Sequence, residues 1–136
     1  MDSKAIIQYA KMLKKNFKGL NALQIAEKLS YKVISISADP DFIIAHNYRY
    51  KNGKSLIFIN SCFDEQTKNV LCAHELGHAI LKHPLKNEYT GNDWKYEHEA
   101  TLFAVSLLFD EEYFNMPFEK MPYYTLKGIL DKNISR

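Results

Sequence analysis

Two histidines and a glutamate share one helical turn in His74-Glu75-Leu76-Gly77-His78. Residues four apart lie on the same face of an α-helix, so both imidazoles reach a single ion. Glu75 is rotated by about 100° from His74, which sets its carboxylate beside that ion, where a water molecule would sit. Zinc held by imidazoles brings the pKa of such a water down towards about 7, and a neighbouring carboxylate then takes its proton. This is the chemistry of metal-assisted hydrolysis. The pattern needs context, because an amphipathic helix with two incidental histidines spells the same motif.

A catalytic zinc keeps three protein ligands and one open position, so His74 and His78 need a partner. His46, His83, His98, Glu97 and Glu99 are the candidates. After Gly91 the periodicity predicts a helix from about Asp93 to Phe109, with Ala100, Phe103, Ala104 and Leu107 as its apolar arc. With Ala100 at zero, Glu97 falls at about +60°, on the core side. Glu99 falls at about −100°, off that face, and His98 at about 160° points to solvent. A carboxylate turned towards a core is costly unless it is paired or bound to metal. Taken alone, Glu97 would pair with a base such as Lys95; beside the histidine pair it is assigned as the third ligand. His83, five residues past His78, fits a cap or a group behind the ligands better than a ligand. His46 sits on a strand, and nothing in the sequence brings it to the site. Cys72 lies about 200° from His74 and reads as a packed core thiol.

Several elements must hold these residues in place. Ile6, Ile7, Ala10, Leu13 and Phe17 predict a helix capped by Ser3 and ended by Gly19. A short second helix has Asn21 as cap and Gln24 three residues later. The β-branched Val33, Ile34 and Ile36 change the period, and Asp39-Pro40 reads as a turn. Phe42 to Tyr50 and Ser55 to Ile59 are expected as two antiparallel strands joined by Lys51-Asn52-Gly53-Lys54. Ser61-Cys62-Phe63-Asp64 fits a capping box for a long helix through Leu81, which Pro84 stops. Gly77 inside that helix costs about 1 kcal/mol relative to Ala, which a close approach to the sheet would offset. A loop from Lys86 to Asn92 and a weak helical pattern from Thr125 to Leu130 complete the reading. Helices, a small antiparallel sheet packed on the motif helix, then further helices make an α+β domain.

At 136 residues the chain is expected to form a single domain, 1–136. A net charge of +2 is too small to argue for direct nucleic-acid or membrane binding. Lys11, Lys14, Lys15 and Lys18 recur at near-helical spacing and read as a solvated face. No signal-peptide pattern opens the chain, and two cysteines suit a reduced, cytoplasmic setting better than a disulfide scaffold.

Three stretches together resemble the ImmA/IrrE family of zinc metallopeptidases. These are Ser55 to Asn60, then Ala73-His74-Glu75-Leu76-Gly77-His78-Ala79-Ile80-Leu81, then Glu97-His98-Glu99-Ala100-Thr101-Leu102-Phe103-Ala104 with Leu107-Leu108. The likeness covers a core of about residues 20–115; the second motif commonly ends in a proline, where this chain has Phe109-Asp110. The resemblance implies a zincin-like fold, His74, His78 and Glu97 as Zn2+ ligands, and Glu75 as general base. It also implies an endopeptidase whose protein substrate is a helix-turn-helix repressor, cleaved to induce a mobile element or stress genes. The alternative is a zinc-containing module that sequesters such a repressor without cutting it. The strand carrying Ile57, Phe58 and Ile59 is expected to be the edge on which an extended peptide lies. Tyr89, Tyr96, Tyr123 and His83 are the candidates for stabilising the oxyanion.

Overall fold

Periodic apolar residues build the first two helices. In a computed structural model, which describes residues 2–39, 45–49, 55–84 and 93–135, α1 spans Ser3–Asn16 and buries Ile6, Ile7, Ala10 and Leu13. Its N-cap is Asp2 rather than Ser3: the Asp2 carboxylate accepts the Ala5 N–H at 2.8 Å. A carboxylate satisfies a free N–H and also complements the positive helix end, so Asp2 takes the cap and Ser3 enters the helix. Helix α2, Ala22–Lys28, carries the expected box. Asn21 accepts the Gln24 N–H and the Gln24 side chain accepts the Asn21 N–H, both at 2.9 Å.

Strands β1 (Lys32–Ile36), β2 (Ala45–Arg49) and β3 (Ser55–Asn60) form one sheet in the order β1-β3-β2. As expected, β2 and β3 are antiparallel, with Ala45 opposite Ile59 and Arg49 opposite Ser55. However, β1 runs parallel to β3, so the sheet is mixed rather than antiparallel. The same order corrects the expected edge. Ile57, Phe58 and Ile59 lie on the central strand, with a neighbour on each side. The cause is legible in hindsight: Leu56-Ile57-Phe58-Ile59 is a continuous apolar run, which suits a strand covered on both faces, whereas a half-exposed strand alternates. Ile57 and Ile59 are indeed fully buried. The turns expected at Pro40 and Lys51-Asn52-Gly53-Lys54, and the loop from Lys86 to Asn92 with Tyr89, lie outside the described residues.

Helix α3 (Glu65–Ile80) lies between β2 and β3 on one side and α4 (Asp93–Leu108) on the other. Its cap is Asp64, accepting the Thr67 N–H at 2.7 Å, not a box begun by Ser61. Two short 3-10 turns, Glu111–Tyr113 and Phe118–Lys120, lead to α5, Tyr123–Asp131. From Ala100 to Leu107 every residue of α4 is buried, because α3, α1 and α5 enclose it. The architecture is α+β, a three-stranded sheet on one side of α3 and helices on the other. Among the described residues, no helix is long and apolar enough to cross a membrane.

Candidate metal centre

The site forms where α3 and α4 come closest, and a glycine sets that distance. A Cβ on Gly77 would meet Ala100 O at 3.0 Å, Phe103 Cδ1 at 3.1 Å and Ala100 Cα at 3.2 Å. Gly77 therefore serves contact with α4, not with the sheet as its place in the sequence suggested. Ala100 follows Glu97 by three residues, so the close approach also carries Glu97 over the His74/His78 face.

The resulting geometry is tight. Glu97 Oε2 lies 3.1 Å from His74 Nε2, and Glu97 Oε1 lies 3.2 Å from His78 Nε2. His74, His78 and Glu97 each offer one ligand atom, and the three atoms lie within 4.8 Å of one another. His78 Nε2 is buried and makes no hydrogen bond among the described residues, because its approach to Glu97 has poor geometry for one. A buried imidazole nitrogen without a partner is costly, and a cation seated among the three groups would remove that cost. Two imidazoles and a carboxylate form a donor set suited to a divalent metal such as zinc. By this test the residues fit a metal.

Glu75 stands beside the group. Its side chain is mostly buried, with Oε2 3.5 Å from His74 Nδ1. The turn that presents it is tied to the sheet by Asn47 of β2, whose side-chain amide donates to Glu75 O at 2.8 Å. The electrostatics follow from these contacts. Burial works to lower the His74 pKa, but hydrogen bonds to Glu75 and Glu97 and their negative charge outweigh it and raise it to about 9. Burial works the other way on Glu97, yet the hydrogen bond with His74 and the closeness of both imidazoles hold its carboxyl well below the usual range.

The remaining candidates lie outside the His74/His78/Glu97 group. His46 is exposed on β2, and His98 is half-buried with its ring 6.1 Å from that of Tyr123 rather than free in solvent. Cys72 is packed in the core, where burial pushes its thiol up to about 12. Among the oxyanion candidates, Tyr123 carries a phenol whose pKa is raised by burial and by the charge of Glu97. Ile57, Phe58 and Ile59 belong to the sheet interior described above.

His83 lies behind His78, the place the sequence favoured for it, while Glu99 proves more connected than its helical position suggested. His83 Nδ1 lies 2.9 Å from His78 Nδ1, and His83 Nε2 lies 2.7 Å from Glu99 Oε1. The Tyr96 ring packs 4.9 Å from that of His83. Burial, the largest influence on His83, lowers its pKa. A helical wheel turns Glu99 off the His74/His78/Glu97 group, as does the structure, but off that face is not towards solvent when α4 is enclosed. The signal that was available is His83 itself, a histidine just past the end of a motif helix.

No solved structure matches the chain. A protein of Bacillus phage phi105 named "Uncharacterized immunity region protein 2" is 31% identical over 125 residues, covering 85% of this chain and 77% of its own length. The model of peptidase family M78, described as the IrrE N-terminal-like domain, matches residues 26–134, which reaches past the core expected from motifs alone. This chain belongs to that peptidase family.

Proposed function

We propose that the protein is a zinc-dependent endopeptidase whose ligands are His74, His78 and Glu97 and whose general base is Glu75. The observation that carries this reading is the buried, unbonded His78 Nε2 facing Glu97 in a group of three ligand atoms within 4.8 Å. A zinc ion held there supplies Lewis acidity, polarising a carbonyl and making a water more acidic. Glu75 takes the proton of the attacking water and delivers it to the leaving amine as the amide C–N bond breaks. Asn47 holds the main chain at Glu75 and so helps to aim that carboxylate. The substrate peptide lies along β2, whose outer side pairs with no strand among the described residues and which Asn47 joins to α3.

On the likeness to a protein named for a phage immunity region, and on the family resemblance, the substrate is a repressor of helix-turn-helix type. Incubating the purified chain with the repressor encoded nearest its gene tests this. Cleavage is expected, and Glu75→Gln should lower its rate by about a hundredfold or more while zinc content stays the same. Equal cleavage by both proteins rejects the assignment of Glu75. Repressor release without cleavage, unaffected by Glu75→Gln, would instead favour a sequestering module.

A further inference from the structure

Behind His78 runs a chain of hydrogen bonds that ends on a carboxylate. Helix α3 closes with a backbone turn in which Lys82 adopts φ 56°, the Lys82 N–H donates to Ala79 O at 3.2 Å, and the His83 N–H donates to His78 O at 3.0 Å. This turn folds residue 83 back over residue 78. Arg49 of β2 donates to His83 O at 2.9 Å, and His83 is only 4% exposed. The ring is therefore held from the main chain, from the sheet and from α4.

Its hydrogen bonds have a direction. A carboxylate accepts and donates none, so Glu99 Oε1 at 2.7 Å places the His83 proton on Nε2. A neutral His83 then offers a bare Nδ1, and the proton shared across 2.9 Å must come from His78 Nδ1. His78 is left with its lone pair on Nε2, the buried atom that has no hydrogen-bond partner and faces Glu97 at 3.2 Å. We propose that Glu99 and His83 are positioning residues that lock His78 into the tautomer able to bind a metal through Nε2. Second-row partners of this kind set both the orientation and the basicity of a ligand imidazole. His74 is arranged differently: carboxylates face both of its nitrogens, Glu75 at 3.5 Å and Glu97 at 3.1 Å. Only His78 depends on a relay.

The proposal rests on the metal-site reading above, so its test includes a measurement that needs no metal. In the full chain, nitrogen-15 labelled at histidine, metal-free and with the ring neutral, nuclear magnetic resonance should find the His78 proton on Nδ1. Glu99→Gln keeps the shape but lets an amide donate to His83, which can reverse the chain. That variant should move the His78 proton to Nε2 and weaken Zn2+ binding about ten- to a hundredfold in competition with a chromophoric chelator. A wild-type proton on Nε2 overturns the proposal. So does a Glu99→Gln variant with unchanged tautomer, or with unchanged Zn2+ affinity. If the wild-type chain takes up no Zn2+, the metal reading fails, and the tautomer alone decides the relay.

Discussion

At the end of α2 the Tyr31 N–H donates to Ala26 O at 2.9 Å and the Ser30 N–H to Glu27 O at 3.0 Å. At the end of α3 the His83 N–H donates to His78 O at 3.0 Å and the Lys82 N–H to Ala79 O at 3.2 Å. Both turns carry an L-residue in the left-handed region, Ser30 at φ 71° and Lys82 at φ 56°. The backbone device is the same Schellman closure, which brings the second residue past the helix cap against a residue of its last turn. What differs is the side chain delivered. Tyr31 packs against the apolar core and leads directly into β1, whereas His83 meets the imidazole of His78, one of the three groups proposed to hold the metal. A generic way of ending a helix thus becomes part of a chemical site only through the identity of two residues.

Truncating the delivered side chain separates the two turns most strongly. His83→Ala should weaken Zn2+ binding about ten- to a hundredfold, because His78 loses the partner of its Nδ1. Tyr31→Ala should leave Zn2+ affinity within about twofold and cost only stability, about 1–2 kcal/mol in denaturant unfolding. Equal losses of affinity in the two variants would mean that both side chains act through global stability, with no special role for His83.

Much of this site is legible in the sequence. The His74/His78 face and the position of Glu97 follow from turning residues by about 100° along a helix, and the Asn21 cap from a capping residue followed by Gln24 three positions on. Local geometry of that kind needs no knowledge of neighbours. The order of the strands does need it. Leu56-Ile57-Phe58-Ile59 announces a doubly covered strand, but which strand lies on each side depends on contacts far apart in sequence. The relay was hidden for a related reason. Pro84 marks where the helix stops, yet the return of His83 requires a left-handed Lys82, and lysine gives no sequence signal for that conformation. Caps were missed where two acceptors competed, by one residue at Asp2 and Ser3 and by three at Ser61 and Asp64.

The α3 turn can position His78 only if α4 stays near enough for Glu99 to reach it, and Gly77 governs that separation. Gly77→Ala would press a methyl group against the α4 backbone at 3.0–3.2 Å, where little can yield. A loss of roughly 1–3 kcal/mol in stability is expected, with weaker Zn2+ binding as Glu97 and Glu99 move off together. Gly128 in α5 has nothing within 4 Å of an added Cβ among the described residues. Gly128→Ala should stabilise the protein by up to about 1 kcal/mol and leave the metal site alone. Thermal unfolding of the two variants separates a glycine kept for contact from one without such a constraint. A tolerated Gly77→Ala would remove the steric account of the site.

The smallest effect tests whether the two turns are equivalent as backbone. An L-residue in the left-handed region costs about 1–2 kcal/mol, while glycine loses about 0.4–1 kcal/mol more chain entropy on folding. Ser30→Gly and Lys82→Gly should therefore each raise stability by about 0.5–1 kcal/mol in urea unfolding. The gains should match, since φ is similar at both positions, and Zn2+ affinity should not change, because His83 is also held by Arg49 and Glu99. A stability gain at Lys82→Gly accompanied by a loss of Zn2+ affinity would show otherwise. It would mean that the stiffness of a non-glycine turn, and not only the His83 side chain, keeps the relay aligned.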